Sequence, residues 1–150
     1  MGTRTRDCHV SELSTLFPAL RLNHTITSPK TRDYNCIAWA ASENDRWWWP
    51  DSAGSSYWPL EAPREATLDA FVKAYGTLGY AECGSRDFEP GFEKIAVFVD
   101  ASGTPTHAAR QLPNGRWTSK CGRLHDIEHE LDGLVGAEYG TVACILQRRT

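Results

Sequence analysis

Cys36 and His107 are the two residues of this chain whose types and settings indicate covalent chemistry. Residues 36–41 form an apolar run that predicts a short helix, and Asp33 or Asn35 is available to cap it. The first turn of a helix favours the thiolate of a cysteine, which is the form that attacks carbonyl carbons. A thiol becomes a working nucleophile when an imidazole accepts its proton, so His107 is the candidate base.

Three antiparallel strands are predicted to carry His107. Their apolar character and the glycine-containing turns between them indicate a meander over residues 94–99, 104–112 and 116–120. His107 lies on the middle strand. Packing of the Cys36 helix against this sheet is expected to bring the thiol and the imidazole together despite their separation in the chain.

The remaining segments predict helices before the sheet and a closing strand after it. Helical spacing of apolar residues predicts helices at 8–17 and 65–75, and a short helix is expected at 126–134. Strands are expected at 80–83 and 141–146, and the polar, proline-containing segment at 25–32 is expected to be a loop. Helices first and an antiparallel sheet later indicate the α+β class. We predict one domain over residues 1–150, with residues 1–32 as a lead-in and 33–150 as the core.

Composition places the chain among ordinary globular proteins. It has 150 residues, of which 41% are hydrophobic and 23% charged, and its net charge of −3 gives no reason to expect nucleic acid or a membrane as partner. The five cysteines are scattered and odd in number, which favours reduced thiols. Because the first residues lack an apolar signal segment, we predict a cytoplasmic protein, or an effector exported without a leader.

A helix-start cysteine followed by a histidine on a later antiparallel strand is the chain order of papain-like cysteine hydrolases. Residues 34–39 are similar to the nucleophile motif of the NlpC/P60-type members of that fold, in which a Tyr-Asp-Cys sequence opens the helix. Residues 106–109 are similar to the histidine strand of that group. The resemblance implies a papain-like (NlpC/P60-like) domain in which a nucleophile helix packs on an antiparallel sheet.

The chain more closely resembles an uncharacterised bacterial domain family that is marked by four motifs. These are Asn-Cys-Ile-Ala-Trp-Ala, Trp-Trp-Pro, Thr-His-Ala-Ala-Arg-Gln and Trp-x-Ser-Lys-x-Gly, and they stand here at residues 35–40, 48–50, 106–111 and 117–122. The resemblance covers most of the chain after residue 33. It implies membership of a family and no established activity.

The NlpC/P60 resemblance also implies a third catalytic position about a dozen residues after the histidine, which is Ser119 here. A serine hydroxyl orients an imidazole less strongly than a carboxylate or an amide does, so this position departs from the usual chemistry. Asn35 and Tyr34 are candidates for an oxyanion site together with the backbone N–H of Cys36.

A tryptophan-rich segment follows the Cys36 helix and contains Trp47, Trp48, Trp49 and Trp58. Its glycine, serine and proline residues indicate a long loop. The indoles either cover the core as a lid or form an aromatic wall that holds an extended protein or peptide substrate.

A rival motif occurs at residues 125–129, where His125, Glu128 and His129 match a zinc-peptidase pattern. On a helix, the two histidines would share one face as ligands and the glutamate would serve as general base. The motif lacks a suitable distant third ligand, and neighbouring glycines shorten the helix. A solvated helix end is the simpler interpretation.

The residues together predict a cysteine hydrolase that cleaves an amide, peptide or isopeptide bond and needs no cofactor. Cys36 would be the nucleophile, His107 the general base and Ser119 the orienting residue. Deamidation and acyl transfer use the same intermediate and stay open. The contrasting hypotheses are a non-catalytic protein-interaction module, with an inert Cys36 and a tryptophan surface, and the zinc peptidase.

Overall fold

The structure is a computed structural model that describes residues 24–28, 31–121, 126–136 and 139–150. The helix predicted at residues 8–17 lies outside these ranges. Two short helices, α1 (Cys36–Ala40) and α2 (Leu68–Gly76), lie between the first and second strands. The strands are β1 (His24–Ser28), β2 (Ala81–Cys83), β3 (Phe92–Val99), β4 (Pro105–Gln111), β5 (Trp117–Lys120), β6 (Asp126–His129) and β7 (Thr141–Arg149), with a 3₁₀ turn at Leu131–Leu134.

All seven described strands join one antiparallel sheet in the order β1-β6-β5-β4-β3-β7-β2. Strand β3 lies near the middle, where it pairs with β4 on one side and with β7 on the other. Ile95, Ala96, Val97 and Phe98 are all buried, so this strand is covered on both faces. The sheet therefore separates two hydrophobic cores.

The first core lies under the helices and the tryptophan segment. Ile37 of α1 and Phe71 of α2 pack there with Val97 and Ala108 of the sheet. The Tyr75 hydroxyl donates to the Ile37 carbonyl at 2.9 Å and joins the two helices. The second core lies on the opposite face and contains side chains of the sheet and of the 3₁₀ turn, including Ala96, Phe98, Ala109, Trp117, Ile127, Leu131 and Leu134.

Local sequence explains both helix starts and the short length of α1. The Asn35 side chain accepts from the backbone N–H of Ala38 at 3.1 Å, and the Thr67 hydroxyl accepts from that of Ala70 at 3.2 Å. Helix α1 ends after one and a half turns because Ser42 adopts a positive φ of 68°, which a helix cannot continue through.

The predicted papain-like α+β architecture is wrong. The described residues form a seven-stranded antiparallel sheet with two small helices, so the sheet dominates the fold and the helical layer is minor. The reason is that segments predicted as loop or helix pair with the sheet instead. Hydrogen bonding to neighbouring strands determines the secondary structure of such segments, and the hydrophobic periodicity of a single sequence does not indicate those pairings.

Two segment predictions fail for that reason. Residues 25–32 were expected to be a loop, but β1 occupies His24–Ser28 and pairs with β6. Residues 126–134 were expected to be helical, but β6 occupies Asp126–His129 between β1 and β5. The predicted strands at 80–83, 94–99, 104–112, 116–120 and 141–146 are all present with shifted ends. Within the described ranges, no helix has the length and apolar character needed to span a bilayer.

Candidate active site

Cys36 is the first residue of α1 and is buried against the sheet. The Asn35 cap holds the start of the helix, and the Trp39 indole N–H donates to the Thr118 hydroxyl at 3.0 Å, which docks α1 on β5. The backbone N–H of Ala108, the residue after His107, interacts with the Cys36 sulfur by a hydrogen bond that favours the thiolate. The thiol therefore lies beside the part of β4 that carries His107.

The Cys36 thiol is protonated at neutral pH. Burial raises its pKa to about 11, and this effect outweighs the backbone N–H groups of Ala108, Cys36 and Ile37 and the charge of Lys120, which all favour the thiolate. The backbone N–H groups at the helix start lower the pKa of this thiol, as predicted, but burial raises it by more, so the predicted thiolate does not form at neutral pH. Desolvation is the larger effect here because α1 is short and the thiol is nearly enclosed.

His107 is fully buried on β4, where it stands opposite Phe98 of β3. Its ring stacks on Tyr139 with centroids 4.0 Å apart and meets the Phe98 ring edge-on at 5.2 Å. Burial, followed by the repulsion that His129 would exert once protonated, holds the pKa of His107 well below its usual range. The imidazole is therefore neutral at pH 7.

A chain of hydrogen bonds fixes the His107 ring from one side. Its Nε2 lies 3.0 Å from Ser119 Oγ, and the same Oγ lies 2.8 Å from His129 Nε2. His129 Nδ1 then lies 2.6 Å from the Glu130 carbonyl oxygen. The structure thus brings together two of the predicted site residues, His107 and Ser119.

The second ring nitrogen of His107, Nδ1, has a different environment from Nε2. Nδ1 is buried and has no hydrogen-bond partner in the described part of the chain. The predicted Cys36–His107 hydrogen bond is not made there either. The thiol belongs to the first core and the imidazole packs beside the second, and Tyr139 touches both sites, because it stacks on His107 and lines a pocket with Cys36.

That pocket encloses about 350 Å³ and opens beside α1. Cys36 lines it together with Thr106, the residue before His107, and with two of the predicted tryptophans, Trp47 and Trp49. Asp51 also lines it, but both of its carboxylate oxygens accept hydrogen bonds within the loop, from Ser55, Ser56 and Arg64. These bonds hold the pocket wall in place.

The four tryptophans of the loop divide into two pairs. Trp47 and Trp49 are half-buried and face the pocket, as a substrate-contact role requires. Trp48 and Trp58 are buried in the first core, where Trp48 stacks on Tyr75 at 6.1 Å and Trp58 packs on Phe71 at 5.0 Å. The lid interpretation therefore holds for Trp48 and Trp58, and substrate contact by Trp47 and Trp49 stays a prediction.

The two predicted oxyanion residues are engaged elsewhere. Asn35 caps α1 with its oxygen and donates through Nδ2 to the Trp48 carbonyl at 2.8 Å. The Tyr34 hydroxyl donates to Asp126, and its ring stacks on Trp39 at 5.4 Å. Both side chains thereby position α1 and the loop, and Asn35 also lines the pocket that contains Cys36. Their oxyanion role stays a prediction.

The rival zinc motif has a different backbone from the one it requires. Glu128 and His129 are consecutive residues of strand β6, so their side chains point to opposite faces of the sheet. Glu128 forms an ion pair with Arg116 at 3.0 Å, and His129 binds Ser119. His125 lies outside the described residues. The shared helix face on which the motif depends is absent from Asp126 to His129.

Sequence analysis did not assign His129 or Tyr139 to this site. His129 was visible only as part of the zinc motif, and no local pattern marked Tyr139. The glycine that follows, Gly140, is the feature of the sequence that could have drawn attention to Tyr139. It has a positive φ of 83°, and an added Cβ would lie 1.9 Å from the Val99 carbonyl oxygen, so only glycine fits at this position. The turn that it allows places the preceding residue, Tyr139, against His107.

Comparison with known proteins identifies the family of this chain. The family described as Domain of unknown function (DUF7689) matches residues 25–147, and the chain belongs to it. No curated protein and no solved structure matches the chain. The family description names no activity, so function must be inferred from the site.

Proposed function

We propose that this protein is a cysteine hydrolase that cleaves an amide, peptide or isopeptide bond in a protein or peptide substrate. The observation that carries the proposal is the state of His107. Its Nε2 is held by Ser119 while its Nδ1 is buried without a partner in the described residues, next to a strand segment that contacts the Cys36 thiol. A buried polar atom without a partner calls for an explanation, and a catalytic role is one that agrees with the neighbouring thiol and pocket.

Cys36 is the nucleophile and His107 the general base of this proposal. In the resting site both are neutral, because the pKa of the thiol is raised and that of the imidazole is lowered. Proton transfer must then accompany attack, as it does when a neutral imidazole activates a hydroxyl nucleophile. The structure does not join Cys36 Sγ to His107 Nδ1, because the thiol belongs to the first core and the imidazole packs against Phe98 of the second. The proposal therefore requires the two atoms to come together beside Tyr139 when substrate is bound, as catalytic hydrogen bonds often do.

The chemical steps balance with these two residues and water. As Sγ attacks the carbonyl carbon, its proton moves to His107 Nδ1 and the carbonyl oxygen becomes an oxyanion. The C–N bond then breaks while Nδ1–H protonates the leaving nitrogen, which leaves a thioester on Cys36. Water gives a proton to Nδ1 and attacks the thioester, the C–S bond breaks, and that proton returns to sulfur.

The pocket supports an apolar acyl group on the substrate. Trp47 and Trp49 supply indole surface, and the carboxylate among the described lining residues, Asp51, is saturated by hydrogen bonds within the loop. A charged substrate group therefore has no free counter-charge at that position. An acyl chain with an aliphatic or aromatic side chain fits this lining.

The alternative of a non-catalytic interaction module predicted an exposed tryptophan surface, which the part of the chain that the structure describes does not have. None of the six tryptophans is exposed, and the large exposed hydrophobic side chains among the described residues are Tyr57, Leu60 and Phe88. The test below separates the two functions, since a module with an inert Cys36 shows no histidine-dependent acylation.

The deciding experiment compares Cys36 with Cys144 in one protein. Burial raises the pKa of both thiols to about 11, yet Cys144 lies on β7 outside the pocket, so it is a matched internal control. The native protein is treated with p-nitrophenyl acetate and with p-nitrophenyl phenylacetate at pH 7. Thioester formation at each cysteine is then followed by peptide mass spectrometry.

We expect Cys36 to be acylated faster than Cys144, with the phenylacetyl ester preferred, and we expect His107→Gln to slow Cys36 by about 10²- to 10⁴-fold. The rate at Cys144 should not change in that variant. Equal rates at the two cysteines, or a Cys36 rate unaffected by His107→Gln, would overturn the proposal and favour a non-catalytic protein.

A further inference from the structure

We infer that His129 is a positioning residue of this site, which acts through Ser119 to keep the proton of His107 on Nε2 and the lone pair on Nδ1. This inference rests on the proposed function for its catalytic meaning. Its structural content, the tautomer of His107, can be measured independently of any activity.

The Glu130 carbonyl, at the end of this series of hydrogen bonds, determines which group donates in each of them. The Glu130 carbonyl can only accept, so His129 Nδ1, 2.6 Å from it, must carry a proton. His129 is fully buried, which disfavours a second proton on the ring, so its Nε2 is an acceptor. The Ser119 hydroxyl, at 2.8 Å, therefore donates to His129 Nε2.

This donation determines the state of His107. A serine hydroxyl has a single proton, and here that proton is directed to His129. Ser119 Oγ can then only accept from His107, so Nε2 of His107 carries its proton toward Oγ at 3.0 Å. A neutral imidazole has one N–H, and its Nδ1 is left as a bare acceptor. That is the nitrogen that has no described partner.

The same series of hydrogen bonds stabilises the His107 imidazolium that forms when the imidazole accepts the proton of the thiol. The imidazolium still donates through Nε2 to Ser119, Ser119 to His129, and His129 to the Glu130 carbonyl, so the aligned dipoles support the charge without a rearrangement. A serine alone orients a histidine weakly. His129 fixes the tautomer of His107, because the Ser119 proton is donated to His129 and cannot be donated to His107 Nε2.

Without an acceptor at residue 129, the serine hydroxyl is free to rotate. In His129→Phe it can donate to His107 Nε2, which moves the histidine proton to Nδ1 and removes the base at that nitrogen. In His129→Gln, the side-chain oxygen occupies the position of Nε2 and can accept from Ser119. This conservative variant should preserve the wild-type tautomer.

The test is ¹⁵N NMR of the histidine side chains in the full-length wild-type protein, His129→Phe, His129→Gln and, for assignment, His107→Gln. We expect His107 with Nε2 protonated and Nδ1 bare in the wild type and in His129→Gln, and inverted in His129→Phe. The acylation of Cys36 by p-nitrophenyl acetate should fall about tenfold or more in His129→Phe and recover in His129→Gln.

The outcomes separate the two claims. A wild-type His107 protonated on Nδ1, a doubly protonated His129, or an unchanged tautomer in a folded His129→Phe protein would overturn the positioning role. If the tautomer inverts as expected but Cys36 acylation never depended on His107, the positioning role stands and the hydrolase fails. If His129→Phe does not fold, Ser119→Ala provides the second variant. It removes both hydrogen bonds, and a His107 proton that stays entirely on Nε2 would then contradict the inference.

Discussion

His107 and Ser119 are joined by a 3.0 Å hydrogen bond between Nε2 and Oγ, deep inside the protein and on neighbouring strands. Both residues are fully buried, so the geometry of this pair is set by the sheet and not by solvent. The pair leaves Nδ1 of the imidazole directed away from its anchor.

The alkylation of Cys36 should follow the ionisation of an isolated, buried thiol. With a pKa of about 11, the thiolate fraction at pH 7 is on the order of 10⁻⁴ and rises tenfold with each pH unit. We therefore expect the iodoacetamide rate at Cys36, read by peptide mass spectrometry, to rise steadily from pH 7 to 10. A fast, pH-independent reaction between pH 5 and 7 would instead reveal a preformed thiolate–imidazolium pair.

The free energy of unfolding should fall in mild acid because of His107. Burial lowers the pKa of this imidazole in the folded state, so the unfolded chain binds its proton first. The stabilisation from a neutral His107 is fully present above the unfolded pKa of about 6.5 and is lost as the pH falls below it. The limiting slope for one such group is about 1.4 kcal/mol per pH unit.

Urea denaturation of wild type and His107→Gln at pH 7.5, 6.5 and 5.5 measures this effect. Two other titratable side chains, His129 and Tyr139, face the imidazole and are retained in both proteins. The wild-type protein should lose more stability between pH 6.5 and 5.5 than the variant, which has no ionisable group at this position. Parallel pH dependences would mean that His107 is already protonated when folded, or exposed.

Gly140→Ala should destabilise the protein more than an equivalent change in an open turn. The new Cβ would meet the Val99 carbonyl oxygen at 1.9 Å, and the backbone there has a positive φ. Gly103 is the matched control, because it has a similar φ of 85° and nothing within 4 Å of an added Cβ. Gly103→Ala should cost about 1 kcal/mol, and Gly140→Ala about 3 kcal/mol or more.

Thermal unfolding followed by circular dichroism gives both values. Because Gly140 follows Tyr139, its replacement should also move the ring that stacks on His107 and slow the acylation of Cys36. If the two alanine variants are equally stable, the close contact with Val99 is not present in solution.

Trp48→Ala and Trp47→Ala should act on different properties. Trp48 is buried, stacks on Tyr75 and donates its indole N–H to Glu43 at 2.9 Å, so its loss should cost about 3–5 kcal/mol of unfolding free energy. Trp47 is half-buried in the pocket wall, and its loss should cost about 1 kcal/mol while reducing the preference for the phenylacetyl ester. Urea denaturation and ester acylation measure the two effects, and a reversed pattern would exchange the assigned roles of the indoles.

Local patterns in the sequence were sufficient for the elements that stand on their own chemistry. The helix start at Cys36 follows from an apolar run and an asparagine cap, and the strands from 92 to 120 follow from β-forming residues and glycine turns. The spacing that singled out Ser119 also agrees with its contact to His107, although that spacing came from a resemblance to a fold that this chain does not adopt.

Only the tertiary structure decided the rest of the fold and the electrostatic state of the site. Strand β6 exists because β1 and β5 pair with it on both sides, and the periodicity of residues 126–134 contains no trace of those partners. The partnership of His107 with Ser119, His129 and Tyr139 likewise depends on residues brought together from distant parts of the chain. Burial is a property of the assembled protein, and it made Cys36 a protonated thiol where its place at a helix start had predicted a thiolate.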